Sequence, residues 1–262
     1  MPGGPCGSTV HRFHTPDLPD EGALLALPDE EARHLTQVLR LTIGDAVRVF
    51  DGHGREHHAR VENAGRRRVE VRVGPPAAPA PEARTRITLA AALLKGDKFD
   101  DVVRDAAMLG AAVIQPLVTA HTDVPAARAG STARLDRWRR VALSSTKQSG
   151  RAVIAEVAAP ASIDERLRHL PSPWIVLAEP AIGKGGPLPA RPETATVFVG
   201  PEGGWSAGEI AAFKDGGAHF LTLGGRTLRA DAAPLVALSV LLYTWDGENL
   251  TNQCQPDQPE PA

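Results

Sequence analysis

A chain of 262 residues, 42% of them hydrophobic, is long enough for one large domain or a small and a medium one, each with a real core. Its 29 Lys and Arg against 31 Asp and Glu leave a net charge of -2, which excludes a generally basic nucleic-acid binder. Cys6 and Cys254, near opposite ends, support neither a disulfide framework nor a zinc site, and no apolar run approaches the length of a membrane span. Residues 1–9 read as a loose extension without a signal-peptide pattern, so the cytoplasm is the expected location. From His11 to about Val73, apolar and polar residues alternate in short stretches at 46–50, 59–61 and 68–73. Such alternation marks half-buried strands. Asp51-Gly52-His53-Gly54 is a turn signal between two of them. A helix is expected over 30–39, with Asp29 as its N-cap. The sum is a small β-barrel occupying residues 1–76.

Composition then shifts. Gly74-Pro75-Pro76-Ala77-Ala78-Pro79-Ala80-Pro81 reads as a stiff, extended connector, and residues 77–84 form the expected linker. The apolar run 87–94 is typical of a strand buried on both faces. Residues 99–109 are helical in pattern, 112–117 strand-like and stopped by Pro116, and 132–148 a long helix. Short buried strands follow at 174–178, 196–199 and 220–223. A helix over 206–215 is opened by the capping box Ser206-Ala207-Gly208-Glu209. Alternating strands and helices predict a parallel α/β sheet for residues 85–248. The final helix, 232–243, is apolar on nearly every side, so it is either buried or a subunit contact, with Leu235 and Leu238 expected at an interface. Residues 249–262 are polar and proline-bearing, the expected disordered tail.

Chemistry concentrates in the last third. Val197 to Ser206 is a short apolar strand running into Gly200-Pro201-Glu202-Gly203-Gly204, and Leu221 to Arg229 repeats the pattern through Leu223-Gly224-Gly225-Arg226-Thr227-Leu228-Arg229. Glycine lets backbone approach a ligand with no Cβ in the way. Loops at strand C-termini are where ligands sit in open α/β sheets.

Strand-GPEGG followed by LGGRTLR and an alanine-rich helix resembles the SPOUT methyltransferases with a trefoil knot. More narrowly, it is similar to the branch that methylates N3 of a uridine in small-subunit (16S) ribosomal RNA. The resemblance runs from about His11 to Asp246. It implies a C-terminal SPOUT α/β knot with a parallel sheet, preceded by an RNA-binding PUA-like β-barrel. It also implies S-adenosylmethionine as cofactor, a homodimer built through the knot region, and 16S rRNA or the small ribosomal subunit as partner. Patterning alone stops at a parallel sheet, because true knots are rare.

The resemblance further implies three cofactor loops. Their candidate binding residues are Leu177 and Glu179; Gly200, Glu202, Gly203 and Gly204; and Leu223, Gly224, Thr227 and Leu228. Backbone groups would read the adenine edge while Leu223 and Leu228 sandwich the ring. Glu202 could face the sulfonium or hold its loop by accepting backbone N–H bonds. Arg229 and Asp231 are the candidate catalytic residues. Arg229 could bind the target phosphate, stabilise a uridine losing its N3 proton, or be a structural arginine paired to a carboxylate. Asp231 stands where the family usually has Glu. It could act at the site or cap the final helix ahead of Pro234.

Candidate RNA contacts are Lys95 and Lys98 in a K-x-x-K segment, Arg151 in a Q-S-x-R segment, and Arg12 and Arg40 in the barrel. The alternative for such residues is plain solvated charge. Met108, His121, Lys147 and Asp231 depart from the family's usual residues. Another RNA target (tRNA or a ribose 2′-hydroxyl) and a non-catalytic RNA-binding factor are the competing readings. Histidines crowd the barrel, among them His11, His14, His57 and His58, but without converging Cys, Asp or Glu partners, and no metal is expected.

Overall fold

The computed structural model describes residues 10–65, 68–124, 130–167, 169–180 and 186–250, with side chains described up to Gly247. The expected extension 1–9, both cysteines and the tail from Thr251 lie outside the described residues. The chain divides into two compact units. The first is Met1–Pro81 together with Thr146–Ile154, and the second is Glu82–Ser145 with Ala155–Ala262. The segment Thr146–Ile154 lies in sequence between two stretches of the second unit, and its composition does not set it apart from them.

In the first unit, β1 (Arg12–His14), β2 (Leu24–Ala26), β3 (Ala46–Phe50), β4 (Glu56–Ala64) and β5 (Val69–Pro76) form one sheet in the order β1-β3-β4-β5-β2. β1 runs parallel to β3 and the other pairs are antiparallel. Val69, Val71 and Val73 alternate inward along β5, meeting Phe13, Leu35, Val47, Val49 and Val61 in the core. Two expectations are corrected. Gly74 to Pro76 are the end of β5 rather than connector; β2 stops pairing at Arg72, so the two prolines interrupt no ladder on that side. Asp29 is not a cap. Helix α1 (Asp29–Arg33) starts at Asp29 itself, after Pro28, and turns into a π-helical segment, His34–Val38. Asp29, Glu30 and Glu31 there set negative charge at the positive end of the helix.

The second unit holds β6 (Arg86–Ala92), β7 (Val113–Val118), β8 (Glu156–Val157), β9 (Ala161–Ser162), β10 (Trp174–Leu177), β11 (Thr194–Val199) and β12 (His219–Leu221). Their order is β12-β10-β11-β6-β7-β8, with β9 also on β7, and every pairing is parallel. Ile87 to Ala92 are buried along the whole of β6, as a strand covered on both faces requires. Helices α2 (Lys98–Leu109), α4 (Ile163–Arg166), α5 (Ala207–Asp215) and α6 (Ala233–Leu250) complete it, with α3 (Thr132–Ser149) as far as Ser145. α5 has the expected capping box: Glu209 N–H donates to Ser206 Oγ, and Ser206 N–H donates to the Glu209 carboxylate at 2.8 Å.

Pro116 does not stop β7. It falls between the residues that pair with β8 and those that pair with β9, where the outer ladder is already broken, and the Gln115 amide donates to the Pro116 and Ala159 carbonyls there. α6 packs on α2 and β11, with Ala237, Leu238, Leu241 and Trp245 inside the unit's own core. Leu238 is 1% exposed, so it is a core residue and not an interface residue. No helix among the described residues is long and apolar enough to cross a membrane. The architecture expected from patterning is present: a small mixed sheet in the N-terminal part and a parallel α/β sheet in the C-terminal part.

Candidate active site

The carboxyl ends of β10 and β11 and the chain after β12 enclose a cavity of about 370 Å³. The strands deliver its walls. β10 ends into Leu177, Ala178, Glu179 and Pro180; β11 ends into Val199, Gly200, Pro201, Glu202, Gly204 and Trp205. The segment after β12 supplies Leu223, Arg226, Thr227, Leu228, Arg229, Ala230 and Asp231. Lys98, at the start of α2, and Ala233, at the start of α6, complete the lining.

Trp205 fixes two of these loops to each other. Its indole N–H donates to the Leu177 carbonyl at 3.0 Å, and its ring meets Phe213 edge-on at 5.0 Å between centroids. A Cβ on Gly200 would stand 3.1 Å from the Trp205 ring, so the indole lies directly on that backbone. Gly204 has φ +67°, and its N–H donates to the Pro201 carbonyl at 2.9 Å, closing the turn. That left-handed backbone is why glycine follows glycine here. Trp205→Phe keeps an aromatic ring but loses the bond to Leu177 and part of the contact with Gly200. Cofactor affinity should weaken roughly fivefold, the worth of one net hydrogen bond; an unchanged calorimetric affinity would show that the bond does not hold the loops.

Two ion pairs stand at the cavity. Arg229 forks onto Asp231, Nε to Oδ1 at 3.0 Å and an Nη to Oδ2 at 2.5 Å. The hydrogen-bonded guanidinium holds the Asp231 carboxyl below the usual carboxylate range, and the carboxylate raises Arg229. Lys98 Nζ lies 3.2 Å from Glu202 Oε1. Glu202 therefore meets a lysine, an arrangement neither of its two expected roles contained. The Asp231 carboxylate is committed to Arg229; the Ala232 and Ala233 N–H groups at the entry to α6 donate to the Arg229 carbonyl.

Residues 81–242 match the family description "RNA methyltransferase domain", and residues 27–74 match "RNA methyltransferase PUA domain". The chain is similar to the ribosomal RNA small subunit methyltransferase E of Synechocystis, 33% identical over 83% of this chain and 72% of that one. It is similar to its Mycobacterium bovis counterpart, 32% identical over 89% of this chain and 93% of that one. The crystal structure of the methyltransferase E from Neisseria gonorrhoeae bound to S-adenosyl methionine superposes with a TM-score of 0.83 at 30% identity, covering 90% of this chain and 98% of that one.

The chain belongs to the ribosomal RNA small subunit methyltransferase E family.

The expected site residues divide. Leu177, Glu179, Gly200, Glu202, Gly204, Leu223, Thr227, Leu228, Arg229 and Asp231 converge on the cavity. Gly203 and Gly224 do not line it. Trp205 and Val199 line it without having been singled out; the buried aromatic directly after a glycine turn was the signal available for Trp205. Of the expected RNA contacts, Lys98 belongs to the cavity, Lys95 is exposed and paired with Asp123, and Arg40 is exposed with φ 56°.

Arg12 and Arg151 do not stand open on the surface: the Arg12 side chain is 9% exposed and Arg151 is 3% exposed, both within the first unit. Arg12 forks onto Glu56 at 2.9 Å and donates to the carbonyls of Thr146, Lys147 and Arg151. A side chain with its donors so engaged has none for a phosphate. Lys147, one of the departures from the family, pairs with the buried carboxylate of Glu31.

Proposed function

We propose that this methyltransferase transfers the methyl group of S-adenosylmethionine to N3 of a uridine in 16S rRNA, acting as a cytoplasmic homodimer. The observation that carries the reading is the cavity itself. Its volume lies in the range of about 300–1,000 Å³ typical of small-molecule sites. Apolar walls from Leu177, Val199, Leu223 and Leu228 suit an adenine ring, and the tight turn at Gly204 leaves backbone groups close to whatever enters. The carboxylates of Glu179 and Glu202 suit a ligand that carries an ammonium and a sulfonium.

Bound there, S-adenosylmethionine supplies an electrophilic methyl carbon. The chain's task is to present a nucleophile. Neutral uridine N3 is a poor one, because its lone pair is delocalised into the flanking carbonyls. Loss of the N3 proton leaves an anion spread over N3 and both oxygens. Arg229, exposed beside the cavity, is the cation positioned to stabilise that charge. Asp231 is a weak proton acceptor, since a carboxyl held below its ordinary range gives up a proton readily. Its role is to aim Arg229, and the N3 proton leaves to solvent.

The test is mass-spectrometric mapping of small-subunit rRNA after incubation with protein and S-adenosylmethionine. The expected product is N3-methyluridine. A methyl group on a ribose 2′-oxygen or on tRNA would replace the target; RNA binding without transfer would make the chain a non-catalytic factor.

The homodimer reading is supported by α6, where Leu235, Val236 and Leu242 are half-buried and Tyr243 is 72% exposed. Leu235→Asp with Tyr243→Glu should give folded monomers, because unpaired charge in an apolar interface is costly. Sedimentation at micromolar concentration checks this, and a wild-type monomer there would refute it. Leu238→Asp should instead unfold the subunit, as its side chain lies in the core.

A further inference from the structure

Thr119 to Thr122, after β7, is a tightly fastened turn. The Thr119 N–H donates to Thr122 Oγ1 at 2.9 Å, and the Thr122 N–H donates to the Thr119 carbonyl at 3.1 Å. Between them, the Ala120 N–H donates to Glu209 Oε1 at 2.9 Å. Glu209 is the buried capping-box residue of α5, the helix that starts just after the Gly200–Gly204 turn. His121 projects from this fastened turn onto Gly203 and Gly204. Its Nδ1 lies 3.0 Å from the Gly203 carbonyl oxygen and 3.2 Å from that of Gly204. Carbonyl oxygens only accept, so Nδ1 carries the proton and shares it between the two.

The fit is also steric. A Cβ on Gly203 would stand 2.9 Å from the His121 Cβ. Glycine at 203 is therefore required by His121. Gly203 does not line the cavity, whereas its neighbours Glu202 and Gly204 do.

We infer that His121 is a positioning residue for the cofactor: its Nδ1–H clamps the Gly203 and Gly204 carbonyls and sets the Glu202–Gly204 wall before the cofactor arrives. The inference rests on the reading of the cavity as the S-adenosylmethionine site. His121 does not line the cavity, so its effect passes through the backbone. Without the clamp, the two carbonyls turn to water and the turn samples other arrangements, and ordering it again reduces affinity. The consequence falls on binding and leaves the chemical step alone.

The experiment compares wild type with His121→Leu and His121→Asn by calorimetric titration with S-adenosylmethionine and by steady-state methyl transfer to small-subunit RNA. Leu keeps bulk and removes the donor. Asn places an N–H at the same number of bonds from the backbone as Nδ1. His121→Leu should weaken S-adenosylmethionine binding roughly five- to tenfold, the worth of one to two net hydrogen bonds. Its KM for S-adenosylmethionine should rise in step while kcat changes less than about twofold, the pattern of lost ground-state binding. His121→Asn should recover most of the affinity. A third variant, Gly203→Ala, should weaken binding without touching His121 chemically, by pushing the ring off the turn.

If wild type binds and His121→Leu binds equally well, the clamp is wrong while the cavity reading stands. If His121→Leu loses kcat with KM unchanged, positioning of the cofactor is also wrong. If His121→Asn is as weak as Leu, the imidazole ring and not its N–H is the cause, and the hydrogen-bonded clamp is overturned. If wild type does not bind S-adenosylmethionine, the cavity reading falls and takes the clamp with it.

Discussion

Arg229→Ala should lower single-turnover methyl transfer by roughly a hundredfold or more, the scale of losing one electrostatic stabiliser of a developing anion. A residue in the proposed role interacts more strongly in the transition state than in the ground state, so S-adenosylmethionine affinity should change little. The loss has a second component. Asp231 stays ionised when its partner is gone, leaving an unbalanced negative charge beside the place where a uridine anion must form. Arg229→Lys should fall between, because an ammonium keeps the charge but cannot fork onto the carboxylate.

The sign of the pH dependence separates the groups. Asp231 has a depressed carboxyl, so the Arg229–Asp231 pair is intact at neutral pH and is lost only as pH falls through that depressed value, below the usual carboxylate range. A rise in rate with pH near and above neutrality therefore reports ionisation of the uridine imide. It should be steeper in Arg229→Ala, since the variant depends on solution ionisation. Single-turnover transfer measured across pH decides it. Rates of wild type and variant within a few-fold at saturating RNA would make Arg229 structural.

Arg12→Ala should destabilise the first unit by about 3–5 kcal/mol, the usual cost of leaving a buried charge without its partner. Glu56 has no exposed side-chain surface, and after the change its nearest cation is Arg48 at 3.8 Å. Three carbonyls lose the guanidinium as a donor at the same time. Arg12→Lys should recover little, because one ammonium cannot reach a carboxylate and three carbonyls in the fork geometry. Replacing Arg12 and Glu56 together by apolar residues should cost less than the sum of the single changes. Arg40→Ala makes the contrast: exposed and on the surface, it should leave the melting curve unchanged and reduce RNA affinity and its salt dependence. Urea unfolding of the two variants separates the cases. An Arg12→Ala protein that melts like wild type yet loses RNA would restore the phosphate contact.

These outcomes show what local sequence carries. The Ser206–Glu209 capping box, the Val69-Val71-Val73 alternation and the wholly apolar run through β6 are decided within a few residues, and each formed as its pattern predicts. The two glycine-rich turns were legible for the same reason: Gly204 needs its positive φ whatever surrounds it. Arg12 was illegible because its partners lie far away in the chain, and an arginine reads the same whether it meets water or three carbonyls. Leu238 and Leu235 carry the same side chain on one apolar helix; only packing on α2 and β11 tells which faces inward. Pro116 is tolerated because two short strands leave a gap beside it, a feature of pairing that composition cannot express. In the sequence His121 reads only as a departure from the family's usual residue. Its meaning comes from an approach to Gly203 across 82 residues of sequence.

The segment Thr146–Ile154 sets the order in which the protein can form. The carbonyls that receive Arg12 lie 134 to 139 residues downstream of it. Domains made during translation ordinarily close in the order they emerge. Here the barrel strands can pair early, but the buried Arg12–Glu56 pair stays short of its carbonyl partners until residue 151 has been synthesised. The nascent N-terminal unit therefore waits half-built, with a charge pair incompletely satisfied, while much of the second sheet is still being made. A protein cut after Pro81 should remain in that waiting state: expanded, open to proteases, and repaired by adding the missing segment as a peptide. The boundary that looks natural in the sequence is, for the growing chain, the wrong place to stop.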